Sequence, residues 1–236
     1  MDDTVPPIKA FEPDAAFQTI LESAGFPLPE VRKLADIAKA RAITDWAHGR
    51  WAHDGDNDPG TSDPKLILER AAAGERFRCV EYAVVAAAVA RCVGLRARTV
   101  GLQRDDVETA EQDAGHVVAE LFLPEYGKWA MVDPQWAKLP ALGGIPLGAA
   151  EFAKAARSGL GADERYLRWV SPYLFYLAFR VDQRFGLNDR SPDRIILVPR
   201  GAAVPEKFQG VPLAGKTFPA YDPKAMYGME IDSDPA

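Results

Sequence analysis

The reading of this chain turns on GERFRCVEYAVVAAAVARCVGL, residues 74–95. From Val80 to Val93 it is dominated by alanine and valine, the pattern of a buried helix, and Gly94 suits a left-handed cap at its end. A thiol, Cys79, stands at the mouth of that helix, with Arg76 and Arg78 just upstream. A helix N-terminus offers free N–H groups and partial positive charge, which favour a thiolate, the form that attacks. The two arginines are expected to push the same way. The plain alternative is that Cys79 is one more small core residue.

The second thiol narrows the choices. Cys92 lies 13 positions after Cys79, about 20 Å along a helix rising 1.5 Å per residue. A disulfide needs Cα atoms within about 7 Å, so both are expected as free thiols. With 2 cysteines, no CxxC and 3 histidines, a structural zinc site is not expected. No EF-hand loop or nucleotide motif occurs, so no cofactor is implied.

Outward from this stretch, 236 residues with 47% hydrophobic and 26% charged side chains suit a globular protein. A net charge of −6 argues against nucleic acid as a partner. No apolar run reaches the roughly 18 residues of a membrane span. The opening residues lack the basic and apolar regions of a signal peptide. That fits a cytoplasmic protein, or an exported one written in mature form behind an added Met1; both stay open.

Residues 1–12 read as an irregular tail. Helical spacing follows from Asp14 to His53, divided by Pro27 and Pro29, then a polar loop and a short helix from Lys65 to about Ala73. After Gly94 the texture changes. RARTVGLQ (96–103), HVVAELFL (116–123) and KWAMVDPQ (128–135) are short and rich in β-branched and aromatic residues, predicting an antiparallel sheet. Residues 149–158 and 163–185 are expected to return to helix, with RIILVPR (194–200) a last strand. From Gly201 an extended tail is expected, anchored by Phe208, Phe218 and Tyr221. Together these predict a single α+β domain over 1–236: a core of about 30–136, a helical extension at 149–185 and a tail at 201–236.

His116 opens the second strand and Asp133 closes the third. If the hairpin between them holds an even number of residues, the two side chains share a face, since strand side chains alternate with period two. A turn centred on Pro124 and Glu125 sets them directly opposite; one centred a residue later makes them diagonal neighbours. Either brings carboxylate and imidazole together, and with Cys79 this is the logic of a nucleophile, a general acid/base and an orienting acid. Taken singly, a strand-start histidine is usually a satisfied polar residue, and an Asp before Pro usually starts a turn.

GERFRCVEYAVVAAAVARCVGLRARTVGL (74–102) followed by GHVVAELFLPEYGKWAMVDPQ (115–135) resembles the transglutaminase-like superfamily of papain-type folds. The resemblance covers about residues 65–136. It implies a papain/transglutaminase-like α+β fold, with the cysteine helix packed on an antiparallel sheet and helices from both ends of the chain around it. By the same resemblance Cys79, His116 and Asp133 are nucleophile, base and orienting acid. The family often supplies a side-chain oxyanion donor upstream. The Cys79 backbone N–H is one candidate donor; of Trp46, Trp51 and His53, on or just after the preceding helix, Trp51 is the side-chain candidate, against the alternative that it packs the core, and Cys92 reads as core. Glu81 and Tyr82 are candidates for polar contacts to the sheet.

The function implied is a bacterial-type transglutaminase-like thiol enzyme that forms an acyl-thioester from an amide in a peptide or protein substrate. Water as acceptor makes it a peptidase or amidase, the preferred reading; an amine makes it a crosslinker. The competing reading is a non-catalytic binding or scaffolding module that keeps the fold.

Overall fold

A computed structural model describes residues 5–184, 192–228 and 231–233, the last three by backbone alone. The sequence expectations for residues 1–4, 185, 229–230 and 234–236 lie outside the described residues.

The first half of the chain builds one helical layer. After a short strand, β1 (Ile8–Ala10), come α1 (Ala15–Ser23), α2 (Leu28–Val31), α3 (Asp36–His48) and α4 (Pro64–Ala72). The Asp14 side chain caps α1 through the Phe17 N–H at 2.7 Å, and Asp63 caps α4 ahead of Pro64. The quoted stretch forms α5 (Cys79–Cys92), with Arg78 as N-cap and Gly94 at a positive φ of 88° beyond its end. Eleven of its fourteen residues are buried, so α5 is wrapped by neighbours on nearly all sides rather than along one stripe.

The sheet follows. β2 (Ala97–Gln103), β3 (Gly115–Leu123) and β4 (Lys128–Val132) form an antiparallel meander, as their alternation predicts. A small hairpin, β5 (Ala141–Leu142) and β6 (Ile145–Pro146), leads to α6 (Ala149–Ala156) and α7 (Glu164–Val170). Next come β7 (Tyr176–Arg180), β8 (Asp182–Gln183), β9 (Arg194–Leu197), the hairpin of β10 (Lys207–Phe208) and β11 (Val211–Pro212), then β12 (Thr217–Ala220), α8 (Pro223–Tyr227) and β13 (Ile231–Ser233). The main sheet has six strands in the order β12-β9-β7-β2-β3-β4, antiparallel except for the β12–β9 pair.

Four expectations are corrected here. Residues 163–185 are not one helix: α7 ends at Val170, and the aromatic run beyond it becomes β7, seated between β2 and β9. An apolar run buried on both faces of a sheet loses the period-two signature and is easily read as helix. The stretch after Gly201 is more than an extended tail, because β12 adds a strand to the main sheet. Phe208 and Phe218 do pack inward, but Tyr221 is 52% exposed and anchors nothing. Residues 8–10 are not irregular; β1 pairs in parallel with β8 and β13.

Period two then sorts the layers. Ala119, Leu121 and Leu123 of β3 face α5 and the N-terminal helices in one core. Val118 of β3 and Met131 of β4 face α6 and α7 in a second core. Through that second layer runs a fully buried ion pair. Arg98 Nε donates to Glu120 Oε2 at 2.8 Å, and its guanidinium also donates to the Met226 carbonyl. Glu120 Oε1 accepts from the Ala149 N–H at 2.7 Å and the Tyr227 hydroxyl at 3.0 Å. The pair thus ties α6 and α8 to the sheet.

Candidate active site

Cys79 is the first residue of α5 and is half-buried. Its helix start is closed by Glu81, whose carboxylate accepts from the Arg78 backbone N–H at 3.1 Å and pairs with the Arg78 guanidinium at 2.9 Å. Arg78 also pairs with Asp58 at 2.8 Å, and Arg76 with Asp54 at 3.4 Å. The two arginines expected to favour a thiolate are therefore matched by carboxylates. The positive field beside Cys79 is left to the free N–H groups of the helix start. Glu81 and Tyr82 do not reach the sheet: Glu81 serves the helix start, and the Tyr82 hydroxyl donates to the Trp51 carbonyl at 2.6 Å.

The hairpin between β3 and β4 turns through Pro124–Tyr126 and Gly127, the glycine at a positive φ of 63°. Four loop residues keep parity. The register Phe122↔Trp129 and Glu120↔Met131 makes His116 and Asp133 diagonal neighbours on the face toward α7, the second of the two arrangements anticipated. His116 Nε2 donates to Asp133 Oδ2 at 2.8 Å. Both side chains are buried, Asp133 completely. The Cys79 side chain lies close enough to add to the upward shift of the His116 pKa. With Nε2 committed to the carboxylate, Nδ1 is the ring nitrogen left for sulfur.

Electrostatics follow from these contacts. Burial alone would depress the imidazole pKa, but the charge and hydrogen bond of Asp133, reinforced by Cys79, override it and raise His116 to about 10. His53, on the loop after α3, moves the other way: desolvation and the neighbouring His116 charge lower its pKa. Cys92 is 4% exposed in the core, where burial pushes its thiol up to about 12.

Two features were not anticipated from sequence. Trp169 of α7 meets the His116 ring edge-on, 4.8 Å between centroids, Tyr173 lies 6.2 Å from the same ring, and Trp136 packs on Trp169. The Tyr166 hydroxyl, also from α7, donates to Asp133 Oδ2 at 2.7 Å. Neither could be found by motif, since both come from a helix some 30 positions beyond Asp133 along the chain. Trp51 packs against Phe77 and Tyr82, with ring centroids 5.4 and 4.6 Å away, and its buried indole N–H has no partner. Among the described residues no cluster of three or more His, Cys, Asp or Glu side chains is arranged to hold a metal ion. Among the same residues no helix is long and apolar enough to cross a membrane.

A cysteine helix laid on an antiparallel meander, with Cys, His and Asp in that chain order, defines an α+β protein of papain/transglutaminase-like fold. Residues 30–134 match the family model of the transglutaminase-like superfamily. Among solved structures, a Cytophaga hutchinsonii protein provisionally described as a cysteine protease is similar at 21% identity and a TM-score of 0.33, over 55% of this chain and 46% of that one. The chain thus spans about half the length of that protein. Among curated proteins no match was found.

Proposed function

We propose that this protein is a cysteine hydrolase acting on amide bonds in peptides or proteins, with Cys79 as nucleophile, His116 as general acid/base and Asp133 as the acid that orients it. The observation that carries the reading is the buried Asp133–His116 hydrogen bond, with Cys79 at the α5 start near enough to act on the same imidazole. The match of residues 30–134 to the transglutaminase-like superfamily model supports a thiol enzyme.

In this reading Sγ attacks the amide carbonyl carbon and its proton resides on His116. The oxyanion is received by the Cys79 backbone N–H and by the free Trp51 indole N–H. His116, which keeps a proton at neutral pH, gives it to the departing nitrogen as the C–N bond breaks. An acyl-thioester and a free amine result. Water then attacks the thioester carbonyl and gives its proton to His116. Collapse releases the carboxylic acid and restores the sulfur.

Water is preferred to an amine as the second acceptor, because hydrolysis drains an acyl-enzyme unless the groove excludes water. A peptide library incubated with and without a primary amine, read by mass spectrometry, tests this. New amine termini or released ammonia, lost in Cys79→Ala and His116→Ala, are the expected result. Dominant amine adducts would keep the mechanism and overturn the hydrolase. No Cys79-dependent turnover would favour a binding module.

A further inference from the structure

The Asp133 carboxyl group has no solvent exposure, and a buried carboxylate is tolerated only when its lone pairs are filled. Among the described residues its side chain accepts from three groups. Oδ1 receives the Trp136 backbone N–H at a long 3.3 Å. Oδ2 receives both His116 Nε2 at 2.8 Å and the Tyr166 hydroxyl at 2.7 Å. The oxygen that holds the imidazole is therefore shared with a phenol.

Tyr166 is built to make that bond. It has no solvent exposure, and its ring stacks nearly parallel to Phe152 of α6, with centroids 6.1 Å apart. Its own backbone N–H is capped by Asp163, which pairs at 2.7 Å with Lys138 in the segment following Asp133. Helix α7 is thus tied at more than one point to the loop that carries the carboxylate. Burial and the Asp133 charge hold the Tyr166 pKa well above its ordinary value, so it remains a neutral donor across the working range.

We propose that Tyr166 is a positioning residue of the Cys79–His116–Asp133 site, fixing the Asp133 carboxylate and moderating its pull on the imidazole, so that the chain of contacts reads Cys79, His116, Asp133, Tyr166. The proposal rests on the catalytic reading above. It also makes α7, which lies outside the family-matched residues 30–134, part of the working unit. A phenol that shares Oδ2 withdraws charge from it, so the carboxylate holds the imidazolium less tightly. Removing the hydroxyl reverses this. The other titratable groups around the ring are Cys79 from α5, His53 from the loop after α3 and Tyr173 beyond α7, with Asp113 facing the latter two. Tyr166 is the side chain besides His116 that donates to Oδ2.

The test is proton and nitrogen NMR of the His116 ring in the full chain, where only three histidines need assignment. Tyr166→Phe keeps the ring packing and removes the donor. The Nε2–H resonance is expected to move downfield and the titration midpoint upward, with kcat reduced about 10-fold and KM little changed. Site-specific replacement of Tyr166 by 3-fluorotyrosine, a more acidic donor of nearly the same size, is expected to move the resonance upfield. An unchanged resonance and midpoint in both folded variants would overturn the proposal and leave Tyr166 a packing residue. The NMR arm needs no turnover, so a wild-type chain without hydrolase activity would contradict the catalytic reading through the kinetics alone.

Discussion

His116 and Asp133 stand diagonally across the β3–β4 ladder and hydrogen-bond at 2.8 Å beneath the Trp169 ring. The offset follows from the turn, where Pro124–Tyr126 and the left-handed Gly127 set the register at Phe122↔Trp129. Asp133→Asn keeps the shape and removes the charge. The His116 titration midpoint should then fall, and kcat should drop by about 10³–10⁴, by analogy with serine triads. An NMR titration with steady-state kinetics on the same variant checks both.

The raised His116 pKa sets the pH dependence. In the proposed mechanism the group acts as an acid toward the leaving amine, so activity should fall as pH rises through about 10. Stability carries the same sign. A folded-state pKa raised above the unfolded value near 6.5 gives stabilisation fully present below about 6.5 and lost as pH rises toward 10. Urea midpoints measured from pH 6 to 10 should decline, and His116→Gln should flatten that decline.

The two thiols should differ sharply in reactivity. Cys79 is half-buried at a helix start, whereas Cys92 is 4% exposed with its pKa pushed up to about 12. Iodoacetamide at pH 7 should label Cys79 and leave Cys92 untouched until the chain unfolds, as peptide mass mapping will register.

The Arg98–Glu120 pair makes a prediction about stability alone. Both side chains are fully buried, and the Arg98 guanidinium lies between the Trp129 and Phe179 rings at 4.2 and 4.6 Å. Arg98→Met strands the Glu120 charge and should cost about 3–5 kcal/mol in denaturant unfolding. Replacing both partners with apolar residues should cost less than either single change.

How much of this could be read in advance depends on the range of the forces involved. The α5 helix with Cys79 at its start was legible because periodicity, a terminal glycine and composition are local. The shared face of His116 and Asp133 was legible through parity, but their diagonal offset was not, since it depends on the conformation of Gly127. The pairing of Arg76 with Asp54 and of Arg78 with Asp58 was missed because the carboxylates sit in a loop some 20 residues upstream. The aromatic run that became β7 carries no period-two signal once buried on both faces, and β12 finds its parallel partner only in the assembled sheet. Tyr166 was invisible for the same reason: nothing near Asp133 in the chain announces a hydroxyl delivered by α7.

The central claim is that Cys79 carries the acyl group. A peptide amide or ester substrate mixed with the enzyme, quenched in acid during turnover and digested, should yield the Cys79 peptide heavier by the mass of the acyl group. The adduct should be absent in Cys79→Ala, with product formation falling by about 10³-fold or more. Sustained turnover in Cys79→Ala, or turnover in the native chain with no adduct on Cys79 under any quench time, would contradict it.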